Sequence, residues 1–179
     1  LIGCVGNDPF AQKALSALQQ SGVDCQLTEL PETSTGLALI DVMADGSNSI
    51  RISTGANAGL TAKLIESFKD TIAAADLLLL QNEIPLAASM AAAQIARAAG
   101  TRTLMDPAPA PDQPWPPEVL RLFDILTPNA HEVQIITGQQ PRTLADGAQA
   151  AQRICANGVP GAVVTMGELG VAWCLNGRS

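Results

Sequence analysis

Tyrosine is missing from these 179 residues, and aromatic side chains make up only 3% of them. Positive charge is sparse as well: ten Lys and Arg are scattered among seventeen Asp and Glu, for a net charge of −7. An acidic chain with no basic cluster and few rings to stack on bases is a poor nucleic-acid binder. Histidine occurs once, at His131, and the four cysteines, Cys4, Cys25, Cys155 and Cys174, show no C-x-x-C spacing. That inventory argues against a zinc site. It also leaves a hydrolase triad only His131, on what reads as an exposed first helical turn. Long apolar runs are lacking. The longest, Ile72 to Leu80, is interrupted by Asp76 and is too short to span a bilayer. No signal peptide, tandem repeat or flexible linker is visible. Neither G-x-x-x-x-G-K-S/T nor G-x-G-x-x-G occurs.

What is present suits a compact core. The chain is 47% hydrophobic and 15% charged, and its length fits one domain, with or without a small appendage. Apolar neighbours around Cys4 and Cys174 mark them as small buried residues. Free thiols favour a reducing compartment, hence a cytoplasmic location. The first residues, Leu1 to Gly6, already read as strand and turn, and Asn176–Gly177 signals a hairpin whose returning strand does not follow. The expectation is an internal fragment of a longer protein.

Asp8 and Pro9 open a helix over Phe10 to Gln20, with Phe10, Ala14, Leu15 and Leu18 on one face and Gly22 as its stop. Val23 to Leu30 is extended. Gly36 to Val42 and Ser49 to Ser53 then form a hairpin around Asp45–Gly46. Such a unit is a lid, an oligomer contact or an ordinary edge hairpin. Beyond it the rhythm is strictly β–α. A helix from Ala62 to about Ala75, capped by Thr61, precedes the apolar strand Leu77–Leu80, which reads as buried on both faces. A helix from Pro85 to Gly100, a strand at Thr103–Asp106 and a stiff proline-rich loop from Pro107 to Pro117 follow. A short helix to Leu122, a strand over 124–127, a helix after Asn129, a helix from Leu144 to Asn157 and a strand at Ala162–Met166 complete the pattern. This alternation predicts an α/β fold with a doubly wound, mostly parallel sheet and a small β-hairpin lid.

Polar residues collect where these strands end: Gln81, Asn82 and Glu83; Asp106; Asn129 and Glu132; Thr165, Gly167 and Gly170. In a parallel sheet those ends share the edge where ligands bind. Glu83 also suits a helix N-terminus and Asp106 a turn, so neither is diagnostic alone. The stretch Leu126 to Gly138 is the most telling. A strand end, a proline and a helix start there place Asn129 and Glu132 three residues apart beside free N–H groups, an arrangement suited to a nucleotide phosphate and its magnesium. The turn Thr165–Gly170 lets backbone amides approach a phosphate closely.

Leu126–Thr127–Pro128–Asn129–Ala130–His131–Glu132 resembles the N-x-x-E motif of the ribokinase family of sugar kinases, the phosphofructokinase-B type. Other stretches match in the same order: Gly3 to Asp8, the lid strands at Thr35–Ala38 and Asn48–Ile50, and Gly55–Ala56–Asn57. Leu80 to Pro85, Asp106 to Ala110 (with Asp where the family has Asn) and Thr165 to Gly170 continue the series. The resemblance implies an α/β core at 1–34 and 57–179, with a β lid at 35–56. It implies ATP-dependent phosphorylation of a small sugar, D-ribose foremost, or of a nucleoside or fructose-type substrate. Glu83 would bind sugar hydroxyls, and Ile50 and Ile52 would cover the sugar's apolar face. Asn129, Thr165, Gly167 and Gly170 would line the nucleotide site, and Glu132 would act on Mg2+ through water. A monovalent cation, K+, and a homodimer joined through the lid belong to the same picture. The family's catalytic aspartate is expected beyond Ser179, so no residue here is assigned as the base. The competing expectation is a non-catalytic binding or dimerisation fragment.

Overall fold

A computed structural model describes all residues, 1–179. The chain opens with β1 (Ile2–Gly6), helix α1 (Pro9–Gln20) and β2 (Gln26–Leu30), and β1 and β2 pair in parallel with Cys4 opposite Thr28. Asp8 caps α1 by accepting from the Ala11 N–H, and Pro9 occupies the first turn. The apolar face expected on α1 is only partly used: Leu15 and Leu18 are half-buried, while Phe10 is exposed.

Strands β3 (Leu37–Val42) and β4 (Asn48–Ser53) form the antiparallel hairpin, turning at Asp45–Gly46. The Asp45 carboxylate accepts from the Ser47 N–H and hydroxyl, which closes the turn. Apart from half-buried Leu37, the hairpin strands are exposed on both faces. At the hairpin's base, Gly55 has φ +47°, and a Cβ there would meet the Ser34 carbonyl oxygen at 2.4 Å. Only glycine lets the chain leave the hairpin that closely.

The remaining strands make one five-stranded sheet: β5 (Leu77–Gln81), β6 (Arg102–Asp106), β7 (Ile125–Leu126), β8 (Gly161–Thr165) and β9 (Val171–Leu175). Pairing is parallel from β5 to β8 and antiparallel between β8 and β9. Although β7 is brief, ladder bonds from Asp124 N to Thr103 O and from Thr127 N to Met105 O extend its pairing across the expected 124–127.

Two expectations need correction. The helix expected from Ala62 to Ala75 is two, α2 (Ala62–Glu66) and α3 (Lys69–Ala73). The Ser67 hydroxyl donates to Leu64 O at 2.6 Å, and the amides of Ser67 and Phe68 bond three residues back instead of four. That tightening ends the first helix and turns Phe68 onto the core. The strand Leu77–Leu80 is buried on one face only. Its register aligns Leu78 and Leu80 with Thr103, Met105, Leu126, Ala162, Val164 and Cys174. This face meets α4 (Leu86–Ala99), α6 (Ala130–Thr137) and α7 (Leu144–Ala156), whose Ala88, Ala92, Val133, Ala151 and Ile154 join the same core. The other face, running from Leu77 and Leu79 to Val171, Trp173 and Leu175, is open to solvent at both of its edges. Between β6 and β7, the short α5 (Pro117–Leu120) and the proline-rich loop place Trp115 against Phe123, with ring centroids 6.1 Å apart. No helix is long and apolar enough to cross a membrane.

Candidate functional site

The C-terminal ends of β5 to β8 lie along one edge, and each delivers polar groups there. After β7 the chain passes Pro128 and enters α6 with Asn129 as the cap. Asn129 Oδ1 accepts from the N–H groups of His131 at 2.9 Å and Glu132 at 3.0 Å. The Glu132 carboxylate returns the contact, accepting from Asn129 N at 2.7 Å and from Asn129 Nδ2 at 2.8 Å. The Asn-x-x-Glu spacing therefore builds a reciprocal capping box, a signal that the sequence carries openly. Glu132 is 3% exposed. Burial pushes its carboxyl above the ordinary range, and the nearby Asp106 carboxylate adds to the rise; the Asn129 hydrogen bonds oppose it. The group is thus a buried acid held in one orientation by its own helix cap.

The neighbouring strand brings the glycine turn to the same place. Asn129 and Thr165 form a parallel bridge, and Thr165 N donates to Pro128 O at 3.0 Å. Between Thr165 and β9 the chain makes a tight turn, with Met166 N bonded to Gly170 O at 2.9 Å. Gly167 has φ +58° and Gly170 φ +102°, and a Cβ on either would meet nothing within 4 Å. Backbone conformation demands these glycines, and the space beside them is open. Four of the expected residues, Asn129, Glu132, Thr165 and Gly167, thus share one corner, with Gly170 closing the turn.

The sugar-side residues are placed separately. Glu83 is exposed in the turn after β5. Its neighbour Asn82 is the fastening point: Asn82 N donates to Ala108 O at 2.9 Å and Asn82 Nδ2 to Pro109 O at 2.8 Å. These bonds tie the start of the proline-rich loop, with its cis Ala108–Pro109 bond, to the end of β5. Gln81 and Asp106 are direct partners across the β5–β6 pair. Ile50 and Ile52 lie on one face of the hairpin with Ile40 and Ala38 opposite them, and both isoleucines are about half exposed. The hairpin packs principally on itself, so these two side chains are not gathered with Glu83 or the glycine turn.

A further residue escaped the sequence reading beyond its role as a cap. Asp8 accepts from Thr35 N at 2.7 Å and from Thr35 Oγ1 at 2.7 Å, and Gly6 N donates back to Thr35 Oγ1 at 3.1 Å. This clasp joins the end of β1 to the entry of the hairpin. The link spans 27 residues, so no local spacing rule exposes it.

The donor set suits a magnesium nucleotide: a buried carboxylate, an amide side chain, and an open glycine turn at a helix start. The profile of the pfkB family carbohydrate kinases matches residues 1–179. Ribokinase of Haemophilus influenzae is 34% identical over 99% of this chain and 58% of its own length. That of Schizosaccharomyces pombe is 36% identical over 100% of this chain and 57% of its own. A crystal structure of Arabidopsis thaliana ribokinase complexed with ribose and ATP superposes with a TM-score of 0.85 at 29% identity, covering 99% of this chain and 58% of that one. The chain thus spans less than two thirds of each. With ordered motifs, sheet and site corner in agreement, this chain belongs to the pfkB family of carbohydrate kinases.

Proposed function

We propose that the protein to which this chain belongs transfers the γ-phosphoryl group of ATP to a small sugar, D-ribose foremost, giving ribose 5-phosphate. The Asn129–Thr165 bridge carries the reading, because it brings the N-x-x-E helix start beside the strand end that leads into the glycine turn. The ribokinases matched over nearly the whole chain support the choice of sugar.

In this reading Asn129, Thr165, Gly167 and Gly170 orient the nucleotide phosphates. Phosphoryl transfer depends chiefly on such positioning and on charge stabilisation. Glu132 would hold Mg2+ through water, and the metal would supply neutralisation of charge on the phosphate oxygens. A monovalent cation such as K+ acts as an activator. Glu83 accepts hydrogen bonds from sugar hydroxyls, while Ile50 and Ile52 cover the sugar from the lid. Residues 1–179 supply no group that we assign as the base. The exposed Leu39, Ile40, Ile50 and Ile52 suit the lid to a homodimer contact, and free thiols suit the cytoplasm.

The experiment is ATP turnover by the full-length gene product on D-ribose, 2-deoxy-D-ribose, D-fructose and nucleosides, with and without Mg2+ and K+. Preferred turnover of D-ribose is expected. Absence of turnover on every acceptor would end the reading.

A further inference from the structure

Two cysteines sit at the opposite end of the sheet from the glycine turn. Cys155 occupies the end of α7, and Cys174 lies on β9 opposite Ala162, near the start of β8. The Cys155 thiol donates to Cys174 O at 3.5 Å and to Pro160 O at 3.9 Å. Both cysteines line one cleft of about 510 Å³, together with Gln152, Val159, Pro160 and Asn176. Cys174 is 2% exposed, whereas Cys155 is half-buried at the cleft wall. The other two cysteines have no such arrangement. Cys4 faces Thr28 across the β1–β2 pair, and Cys25 lies three residues before that partner, roughly 10 Å along the strand.

We propose that Cys155 and Cys174 are a disulfide-forming pair, a modification site that closes under hydrogen peroxide and pins α7 to β9. The Cys155 thiolate attacks one peroxide oxygen and the O–O bond breaks. This leaves a sulfenic acid and a hydroxide that takes up the proton released by the thiol. The Cys174 sulfur then attacks the Cys155 sulfur, the S–O bond breaks, and the hydroxyl departs as water with the Cys174 proton. Two thiols and one peroxide become one disulfide and two waters; sulfur is oxidised and peroxide oxygen reduced. Burial, reinforced by the Cys174 thiol, holds the Cys155 pKa up to about 12. Since the thiolate is the attacking species, closure is slow near neutrality and accelerates roughly tenfold per pH unit between about pH 7 and 10.

The test treats the whole chain with hydrogen peroxide at mildly alkaline pH, then unfolds it and alkylates free thiols. A mass loss of about 2 Da is expected, the two thiol hydrogens. Alkylation falls from four cysteines to two, and peptide mapping joins Cys155 to Cys174. The closed form melts roughly 5–10 °C higher, because the bridge restricts the unfolded chain. C155S and C174S abolish the mass loss, while C25S keeps it. A bridge to Cys4 or Cys25, a covalent dimer, or four free thiols after treatment would overturn the proposal. If C155S or C174S fails to fold, mapping of the wild type and C25S decides the matter alone.

Discussion

Glu132 and Gly170 stand in one corner under different constraints. Glu132 ionises with difficulty because it is buried, so the folded chain holds its proton to higher pH than the unfolded chain does. Its contribution to stability is full below the ordinary value of 4.5 and is lost as pH rises through the elevated one. Urea unfolding of the wild type and Glu132→Gln between about pH 5 and 8 reads this directly: the stability difference, wild type minus variant, is expected to fall as pH rises. A difference that stays flat or grows would contradict the burial argument. Gly170 is constrained by its backbone, with φ +102° and ψ −140° and no neighbour to clash with an added Cβ. Gly170→Ala therefore costs about 1–3 kcal/mol of pure conformational strain. Gly46→Ala, at φ +84° on the hairpin tip, costs about 1 kcal/mol. Denaturant midpoints measured side by side test the ranking.

At the level of elements, the clasp between Asp8 and Thr35 decides how the hairpin is rooted. The Thr35 amide lowers the Asp8 pKa, with the Ala11 amide adding to the effect. Here the sign is opposite to that of Glu132. Stability from Asp8 is present above the ordinary value of 3.8 and is lost as pH falls through the depressed one. Asp8→Ala is expected to lower the melting temperature at neutral pH, and its curve and the wild type's converge in acid. Separate melting of residues 35–56, seen by hydrogen exchange, would accompany the loss. The clasp illustrates what sequence reading reaches. Asp8–Pro9, Asp45–Gly46, Gly100 and Asn129–Glu132 are local signals, and each element begins or turns where they say. The strand ends follow from β–α alternation, so the edge on which the polar residues gather was legible in the sequence. Three things were not. The break at Ser67 depends on one hydroxyl competing with the helix ladder, the Asp8–Thr35 bond on a long loop closing, and the solvent-facing side of β5 on what packs against it. Leu77–Leu80 reads identically whether one face or two are covered.

For the molecule as a whole, that open face matters most. Leu79 is 66% exposed and Val171 54%, beside Trp173 at 47%, on one side of a sheet whose other side packs on the core. An apolar sheet face of this kind is adhesive, and the net charge of −7 opposes association through it. Leu79→Lys is expected to raise the concentration at which the chain stays monodisperse, with a melting temperature unchanged within about 2 °C. Light scattering and a thermal scan check both halves. A large drop in melting temperature would mean that Leu79 is packed after all. The same asymmetry divides the chain's two indoles. Trp115 is 7% exposed beside Phe123, while Trp173 stands on the bare face. Their fluorescence therefore splits into two channels, one blue-shifted and shielded from acrylamide, the other red-shifted and quenchable. Anything that settles on the open face dims or shifts one channel alone, while unfolding moves both, so adhesion and denaturation can be distinguished in a single cuvette.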